Sequence, residues 1–172
     1  MAPTGAVPAG FDGKLLTGKH NVVLRTAKGD IAIELDADAA PKTATNFAVL
    51  SRVGYYDGLT FHRVIPVFVI QGGDPNGNGT GGASIFGPTF EDEINDLKLE
   101  PGALAMANRG PNTNGSKFFV VEAAQTLDLP GYYTVFGKVT SGMETVHAIA
   151  NVPRDGRDKP LEAISFTVEV KD

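Results

Sequence analysis

Three things are missing from this 172-residue chain: cysteine, tryptophan and any long apolar run. Without cysteine the protein can form no disulfide and can use no thiolate chemistry. That suits a reducing compartment, and we expect a cytoplasmic location. No run approaches the roughly 20 apolar residues that cross a bilayer. The N-terminus also lacks the basic start and apolar stretch of a signal peptide, so none is predicted.

Positive charge is scarce as well. Lysine and arginine together number 15 against 20 aspartates and glutamates, which gives a formal net charge of −5. Nucleic acids and anionic membranes bind basic surfaces, so this balance argues against either as a partner.

One glycine-rich segment satisfies a dinucleotide-binding pattern by its letters. Residues Gly77–Gly82 read G-x-G-x-x-G. The next residues, Ala-Ser-Ile-Phe-Gly-Pro, open no helix, so no helix N-terminus would meet a pyrophosphate. A GK[ST] phosphate loop is absent too. We therefore predict no nucleotide cofactor.

A metal site is not predicted either. The three histidines, His20, His62 and His147, share no ligand spacing, and thiols are absent. Glu91, Asp92, Glu93 and Asp96 form an acidic cluster without the spacing of a calcium-binding loop. We interpret this cluster as a solvated acidic loop.

The residues that are present indicate a β-rich fold. Twenty-one glycines and 11 prolines predict many turns and short strands. The alternation of apolar and polar residues from Ile31 to Leu35 and from Ile164 to Val170 is typical of half-buried strands. The tally is about eight strands and two helices. It favours a mainly β fold, an eight-stranded antiparallel closed β-barrel with a helix capping each end.

Two segments have helical spacing. Pro41 opens the first, in which Phe47, Leu50 and Val53 share one face and Gly54 is the stop. We expect its polar residues, Thr43, Thr45 and Asn46, to face water or to cap. In the second, Ser141 and Glu144 form a capping box, and the apolar face is Met143, Val146 and Ile149.

The stretch from Phe61 to Asp74 is the most informative in the chain. It is dominated by apolar, β-branched and aromatic residues, so it predicts strand, and Pro66 divides it into two short strands. Arg63 and Gln71 are its long polar side chains. Set among apolar neighbours they suit gripping a polar group in an apolar groove. Solvent-facing residues of an ordinary sheet explain them equally well.

A second stretch has room for a ligand. Ala105 and Ala107 are small enough for a ligand to approach the backbone, and Asn108 offers both a donor and an acceptor. The loop 109–116 that follows is also explained by turn chemistry alone, because Asn and Gly tolerate left-handed conformations.

Taken in order, these motifs resemble the cyclophilins, the peptidyl-prolyl cis–trans isomerases. The resemblance rests on Phe61–Pro66, Phe68, Gln71–Asp74, Gly79–Gly82, Phe90–Glu93, Met106–Asn108, Gly110–Ser116, Phe118–Phe119 and Val135–Val139. It covers residues 19–172, the predicted isomerase domain, and leaves 1–18 as an N-terminal extension. The compact loops are similar to those of bacterial members. The family's fold agrees with the tally of strands and helices.

The resemblance implies an enzyme that accelerates rotation about X–Pro bonds without metal or cofactor. It implies a catalytic set of Arg63, Gln71, Phe68 and Asn108. It implies a substrate-binding set of Val69, Gly79, Ala107, Phe119, Leu129 and Tyr133. In it Gln71 meets the substrate carbonyl and the backbone of Asn108 holds the peptide. The implied partners are proline-containing peptides and unfolded proteins, bound by a monomer.

The chain departs from the family pattern in several places. Val67 stands where glycine is usual, Val69 where methionine is usual, and Lys117 where glutamine is frequent. Tyr133 replaces a frequent histidine. No tryptophan is present at the pocket edge, so cyclosporin, the inhibitor associated with the family, is expected to bind weakly. Either Leu127 or Leu129 could line the pocket, and Leu129 is chosen because it lies closer to Tyr133.

Two rival hypotheses stay open at this point. A proline-peptide binding module or a chaperone could carry the same fold with little turnover, because fold alone does not give function. A β-rich interaction domain without catalysis is the other. Retention of Arg63, Gln71, Phe68 and Phe119 favours the enzyme.

Overall fold

The computed structural model describes residues 12–171. Most of the predicted extension, residues 1–11, and Asp172 lie outside this range. The strands are β1 Lys19–Thr26, β2 Gly29–Asp36, β3 Leu59–Thr60, β4 Arg63–Ile65, β5 Val69–Gly72, β6 Ala103–Met106, β7 Phe118–Val121, β8 Val135–Ser141 and β9 Ser165–Val170. The helices are α1 Pro41–Arg52 and α2 Met143–Ala150. No helix in the described range is long and apolar enough to cross a membrane.

All nine strands belong to one antiparallel sheet in the order β3-β9-β1-β2-β8-β6-β7-β5-β4. The prediction of a mainly β fold with two helices is confirmed. The prediction of a closed eight-stranded barrel is wrong, because the sheet curls into a half-barrel whose edge strands, β3 and β4, do not pair. These edges are consecutive pieces of one chain segment, and each pairs with a different strand, β3 with β9 and β4 with β5. Between β3 and β4, Phe61 N–H donates to the carbonyl of Ile164. Within β4, Val64 N–H donates to the carbonyl of Asp158.

Helix α1 begins at Pro41 as predicted, but its polar residues do not face water. Thr43, Thr45 and Asn46 are at most 1% exposed, whereas Val53, expected on the apolar face, is 45% exposed. The buried polar groups hold loops. Asn46 Nδ2 donates to the carbonyl of Gly115 at 2.8 Å, and Thr45 Oγ1 accepts from Leu16 N–H.

The first turn of α1 is capped by a residue far away in sequence. Glu93 accepts hydrogen bonds from the backbone N–H groups of Lys42 and Thr43 at 3.0 and 2.6 Å. A carboxylate at this position satisfies free N–H groups and interacts well with the helix dipole. Glu93 is therefore a structural residue of α1 and not part of a solvated acidic loop.

Helix α2 buries Val146 and Ile149 as predicted, with Met143 packed against the core. Its predicted capping box is absent. Ser141 is still in strand β8, and the N-cap is Gly142 with φ of 95°. A Cβ at Gly142 would come within 2.3 Å of the Asp30 carbonyl oxygen, so only glycine fits this strand-to-helix turn.

Alternate residues of strands β4 to β7 point to two opposite faces. One face, which we call the inner face, packs against the helices and carries Val64, Ile70, Leu104, Met106, Phe118 and Val120. The Phe118 ring lies edge-on against Phe47 of α1 at 5.3 Å and against Tyr56 at 5.6 Å. The opposite, outer face carries Val69, Ala103, Ala105, Ala107, Phe119 and Val121. The candidate site lies on the outer face.

Candidate active site

A row of paired residues crosses four strands on the outer face. Arg63 of β4 pairs with Gln71 of β5, Gln71 pairs with Phe119 of β7, and Phe119 pairs with Ala105 of β6. Directly paired residues of an antiparallel sheet point to the same face with Cβ atoms about 4.5–5.5 Å apart. The guanidinium, the amide and the aromatic ring are therefore neighbours, although 56 residues of chain separate Arg63 from Phe119.

A cavity of about 730 Å³ opens over this row. It is lined by all ten residues that the sequence put forward, namely Arg63, Phe68, Val69, Gln71, Gly79, Ala107, Asn108, Phe119, Leu129 and Tyr133. Three observations explain its shape. Ala107 is too small to fill it, Phe119 forms its floor, and the Tyr133 ring stands edge-on to Phe119 at 5.6 Å.

The two candidate leucines occupy different places. Leu129 lines the cavity. Leu127 packs against the apolar cluster of the outer face, and its N–H donates to the carbonyl of Leu99 at 2.9 Å. The structure thus brings Leu129 to the other candidate residues and places Leu127 behind them.

The side chain of Asn108 is used within the protein. Its Nδ2 donates to the carbonyl of Tyr132 at 2.8 Å, and its Oδ1 accepts from Gly110 N–H at 3.1 Å. What Asn108 offers to a ligand at the cavity rim is its backbone. The bond to Tyr132 also fixes the segment just before β8, which begins at Val135.

A tight turn joins β4 to β5 and sets Phe68 beside Arg63. Phe68 N–H donates to the carbonyl of Ile65 at 3.1 Å, and Val67 has φ of 59°, a strained value for a β-branched residue. Buried Glu122 supports the turn. One of its oxygens accepts the N–H of Val67, and the other contacts Nδ1 of His147 on α2 at 2.5 Å.

Asp74 organises the glycine-rich loop on the other side of the cavity. It is 1% exposed and accepts hydrogen bonds from the backbone N–H groups of Asn76, Asn78 and Gly79. Burial alone would raise the pKa of Asp74, but these donors outweigh it and hold the pKa below its usual value. The segment with the dinucleotide pattern is thus a loop whose backbone N–H groups are bound by the preceding Asp74.

Nine lining residues were not predicted for the site, and two of them, His62 and Lys117, are buried. His62 is 6% exposed, and neither ring nitrogen has a hydrogen-bond partner within residues 12–171. Burial lowers the pKa of His62; Asp74 opposes this, and Lys117, Lys159 and Arg63 add to it. Lys117 is 8% exposed. One signal could have found Lys117, since it precedes Phe119 by two residues and alternation puts both on one face.

The described residues contain no group of three or more histidine or acidic side chains that could hold a metal ion. What the cavity offers is an apolar floor, a guanidinium, an amide and backbone groups. Such a site can grip a small apolar ring and place a positive charge beside it.

Comparison with known proteins decides the family. The family model "Cyclophilin type peptidyl-prolyl cis-trans isomerase/CLD" matches residues 21–170. The chain belongs to this family. It is therefore a peptidyl-prolyl cis–trans isomerase.

Relatives and solved structures agree with this cyclophilin assignment. "Peptidyl-prolyl cis-trans isomerase-like 1" of Gibberella zeae is 51% identical over 148 residues, which are 85% of this chain and 91% of the relative. A crystal structure of a cyclophilin-type isomerase of Cryptosporidium parvum superposes with a TM-score of 0.85 at 41% identity, covering 90% of this chain and 99% of that one. A second structure of that protein, in the presence of the dipeptide Ala-Pro, has a TM-score of 0.83 at 42% identity, covering 88% and 99%.

Proposed function

We propose that this cyclophilin catalyses X–Pro rotation through Arg63 and an apolar pocket for the proline ring. The observation that carries the proposal is the row in which Arg63, Gln71 and Phe119 are direct neighbours across paired strands. A proline ring over Phe119 would put its amide nitrogen within reach of the guanidinium. Gln71 would then meet the substrate carbonyl, and the backbone of Asn108 would hold the peptide.

The chemistry needs only differential stabilisation. The X–Pro amide resists rotation because the nitrogen lone pair is conjugated with the carbonyl, a barrier of about 18–20 kcal/mol. At the perpendicular transition state the lone pair is localised on nitrogen and accepts a hydrogen bond. A guanidinium held at that position binds the transition state better than the planar ground state, which is the requirement for catalysis.

Arginine alone does not account for a large acceleration. A five-decade rate increase needs about 7 kcal/mol, whereas one charge-assisted hydrogen bond contributes about 1.5–3 kcal/mol. The remainder is assigned to the pocket of Phe68, Val69, Phe119, Leu129 and Tyr133 and to the anchored backbone. These groups hold one side of the bond while the other turns.

The test is an exchange-NMR or protease-coupled assay on an Ala-Pro peptide. Arg63→Ala should lower kcat/KM by about ten- to a hundredfold, the loss of one charge-assisted bond. Arg63→Lys should recover only part, because an ammonium lacks the planar fork. Arg52→Ala, at the exposed end of α1, is the matched control. Wild-type rates in folded Arg63→Ala would refute the assignment.

Several finer points are proposed on the sequence and the resemblance. Residues 19–172 act as the isomerase domain, and unfolded proteins as well as short peptides are substrates. The protein works as a monomer in the cytoplasm. Cyclosporin binds it weakly, since no tryptophan is present to donate an indole N–H to the drug.

A further inference from the structure

The cavity is basic although the protein is acidic. Its lining includes five cations and one carboxylate, namely Arg63, Arg109, Lys117, Arg157, Lys159 and Asp155. Five positive charges less one negative charge leave +4 around the cavity, in a chain whose net charge is −5. The Asp155 carboxylate is itself engaged, since it accepts the backbone N–H groups of Arg157 and Lys159 at 2.8 and 3.1 Å.

These cations have no acidic partners in the part of the chain that the structure describes. None of the five forms an ion pair with a carboxylate in the range 12–171. On the far side of the sheet the pattern differs, because Arg25 of β1 lies between Asp30 and Glu169. Unpaired positive charge around a concave site raises the local concentration of anionic ligands.

Lys117 is the most constrained of the five. It is 8% exposed, and its Nζ donates to the carbonyl of Gly79 at 2.6 Å. Arg109 Nη2 donates to the same carbonyl at 3.3 Å and also to that of Thr80. Burial lowers the pKa of Lys117, the Arg109 charge lowers it further, and Asp74 opposes this. Two cations thus converge on one neutral oxygen, a place where an anion would be stabilised.

His62 adds an unused hydrogen-bonding group to the side of the cavity formed by Lys117, Arg109 and Gly79. Both of its ring nitrogens are buried and unpartnered within the described residues. Nε2 lies 3.9 Å from where a Cβ of residue 79 would be, and residue 79 is a glycine with φ of 92°. A neutral imidazole has one N–H donor in either tautomer. A buried donor without a partner is costly and points to a ligand group that supplies one.

We infer that, if the proposed isomerase site is correct, this cyclophilin selects substrates with an acidic side chain two residues from the proline. The carboxylate binds Lys117 Nζ, with His62 and Arg109 beside it. The spacing follows from the local chain, because Lys117 directly precedes β7, lies two residues before Phe119, and lines the cavity with it. Two residues of extended chain span about 6.6 Å, in the substrate as in the strand.

The selection applies to one flank of the proline. Two residues from Phe119 lie Lys117, which precedes β7 and lines the cavity, and Val121, the outer-face residue at the end of β7. Val121 is fully buried and apolar. A carboxylate on the Lys117 side meets a cation, whereas a carboxylate on the opposite side has no charge partner on that strand.

The experiment uses two sets of matched proline peptides with the full-length protein. One set carries Glu, Gln or Lys two residues before the proline, and the other carries them two residues after it. kcat/KM is measured by exchange NMR, and Kd for the same peptides by titration. In one set the Glu peptide should exceed the Gln peptide by about tenfold, as expected for one charge-assisted hydrogen bond. The Lys peptide should rank last, and the other set should show ratios near one.

Three variants assign the effect to Lys117 and Arg109. Lys117→Gln should bring the Glu/Gln ratio close to one, and Lys117→Glu should reverse the order of the Glu and Lys peptides. Arg109→Gln, at an exposed position, should lower the ratio without risk to the core. Lys138→Gln is the matched control, since Lys138 is an exposed lysine of β8 that lies outside the cavity.

The outcomes separate this inference from the proposed function. Turnover of the Gln peptides with Glu/Gln ratios of one in both sets overturns the acidic preference and leaves the isomerase site intact. If no peptide is turned over, the proposed function fails, and the Kd values still decide the preference. A preference for the Glu peptide that persists in both Lys117→Gln and Arg109→Gln overturns the assignment of the effect to Lys117 and Arg109.

Discussion

The two faces of strands β4 to β7 are made by alternate residues of the same short segments, yet one face is filled and the other is open. On β6 the inner residues are Leu104 and Met106, while the outer ones are Ala103 and Ala105. On β7 each face receives one phenylalanine. The inner ring is surrounded by other rings, and the outer ring is the floor of a cavity of about 730 Å³.

The difference shows how a sheet can be core and site at once. Packing density on the inner face comes from large side chains and α1. Alanines on the outer face leave volume that no other part of the described chain fills, so a ligand can reach the row of Arg63, Gln71 and Phe119. Substitutions on the inner face should therefore change stability first, and substitutions on the outer face should change activity first.

The two neighbouring phenylalanines give the strongest test of this contrast. Phe118→Ala should lower the free energy of unfolding by about 3–5 kcal/mol, the usual cost of removing a buried ring. Phe119→Ala should cost less, about 2–3 kcal/mol, because the space left by its 4%-exposed ring opens into the cavity and forms no sealed void. It should instead lower kcat/KM by at least about tenfold. Urea unfolding and an Ala-Pro assay on both variants measure the two effects. Equal losses of stability would remove the distinction between the faces.

The turn between β4 and β5 should show an intermediate effect on both properties. Glu122→Ala leaves the N–H of strained Val67 without its acceptor, which should cost about 1–3 kcal/mol of stability. It should also lower kcat/KM, because the turn sets Phe68 beside Arg63. His147→Ala is the control, since it removes the exposed partner of Glu122 and keeps the bond to Val67. An activity loss in His147→Ala equal to that in Glu122→Ala would contradict the role of the turn.

Replacing a leucine by tryptophan should tighten cyclosporin binding at position 129 but not at position 127. Leu129→Trp adds an indole N–H and apolar area at the cavity, so affinity should rise by about tenfold, the value of one hydrogen bond to a buried carbonyl. Leu127→Trp, behind the cavity, should not tighten binding. Titration of the drug against wild type and both variants is the measurement. Wild-type affinity equal to that of Leu129→Trp would show that the missing tryptophan does not matter.

The smallest expected effect is a pH dependence of stability from His62. Its pKa is lowered in the folded protein, mainly by burial. Below about pH 6.5 the unfolded chain therefore binds a proton that the folded chain does not. As the pH is lowered further, the free energy of unfolding decreases by at most about 1.4 kcal/mol per pH unit. Above about pH 6.5 His62 is neutral in both the folded and the unfolded state, so its protonation does not reduce stability there.

His62→Gln isolates this contribution. The variant should show a flatter stability profile between pH 7.5 and pH 5.5 than wild type, measured by urea unfolding. Asp74 also has a lowered pKa, but its contribution is lost only below about pH 4, outside this window. Parallel profiles for wild type and variant would mean that His62 is protonated equally in both states.

Local sequence patterns were enough to predict much of this protein's structure and its activity. Alternation along β7 separates Phe118 from Phe119, and Pro66 divides β4 from β5, because both effects act over two or three residues of backbone. The motifs resembling the cyclophilins pointed to ten residues, and all ten line one cavity. Family, activity and the mainly β architecture were predicted from these features and are confirmed.

Contacts between distant segments were decided only by the tertiary structure. No local pattern shows that Glu93 caps α1, that Thr43 and Asn46 are buried, or that β3 and β4 do not pair with each other. The same holds for His62, which is buried and has no hydrogen-bond partner for either ring nitrogen among residues 12–171. Side-chain periodicity reports the direction in which a residue points, whereas its partner depends on which other segment the folded chain brings there. The sequence therefore determined the faces of the sheet, and the fold determined what each face meets.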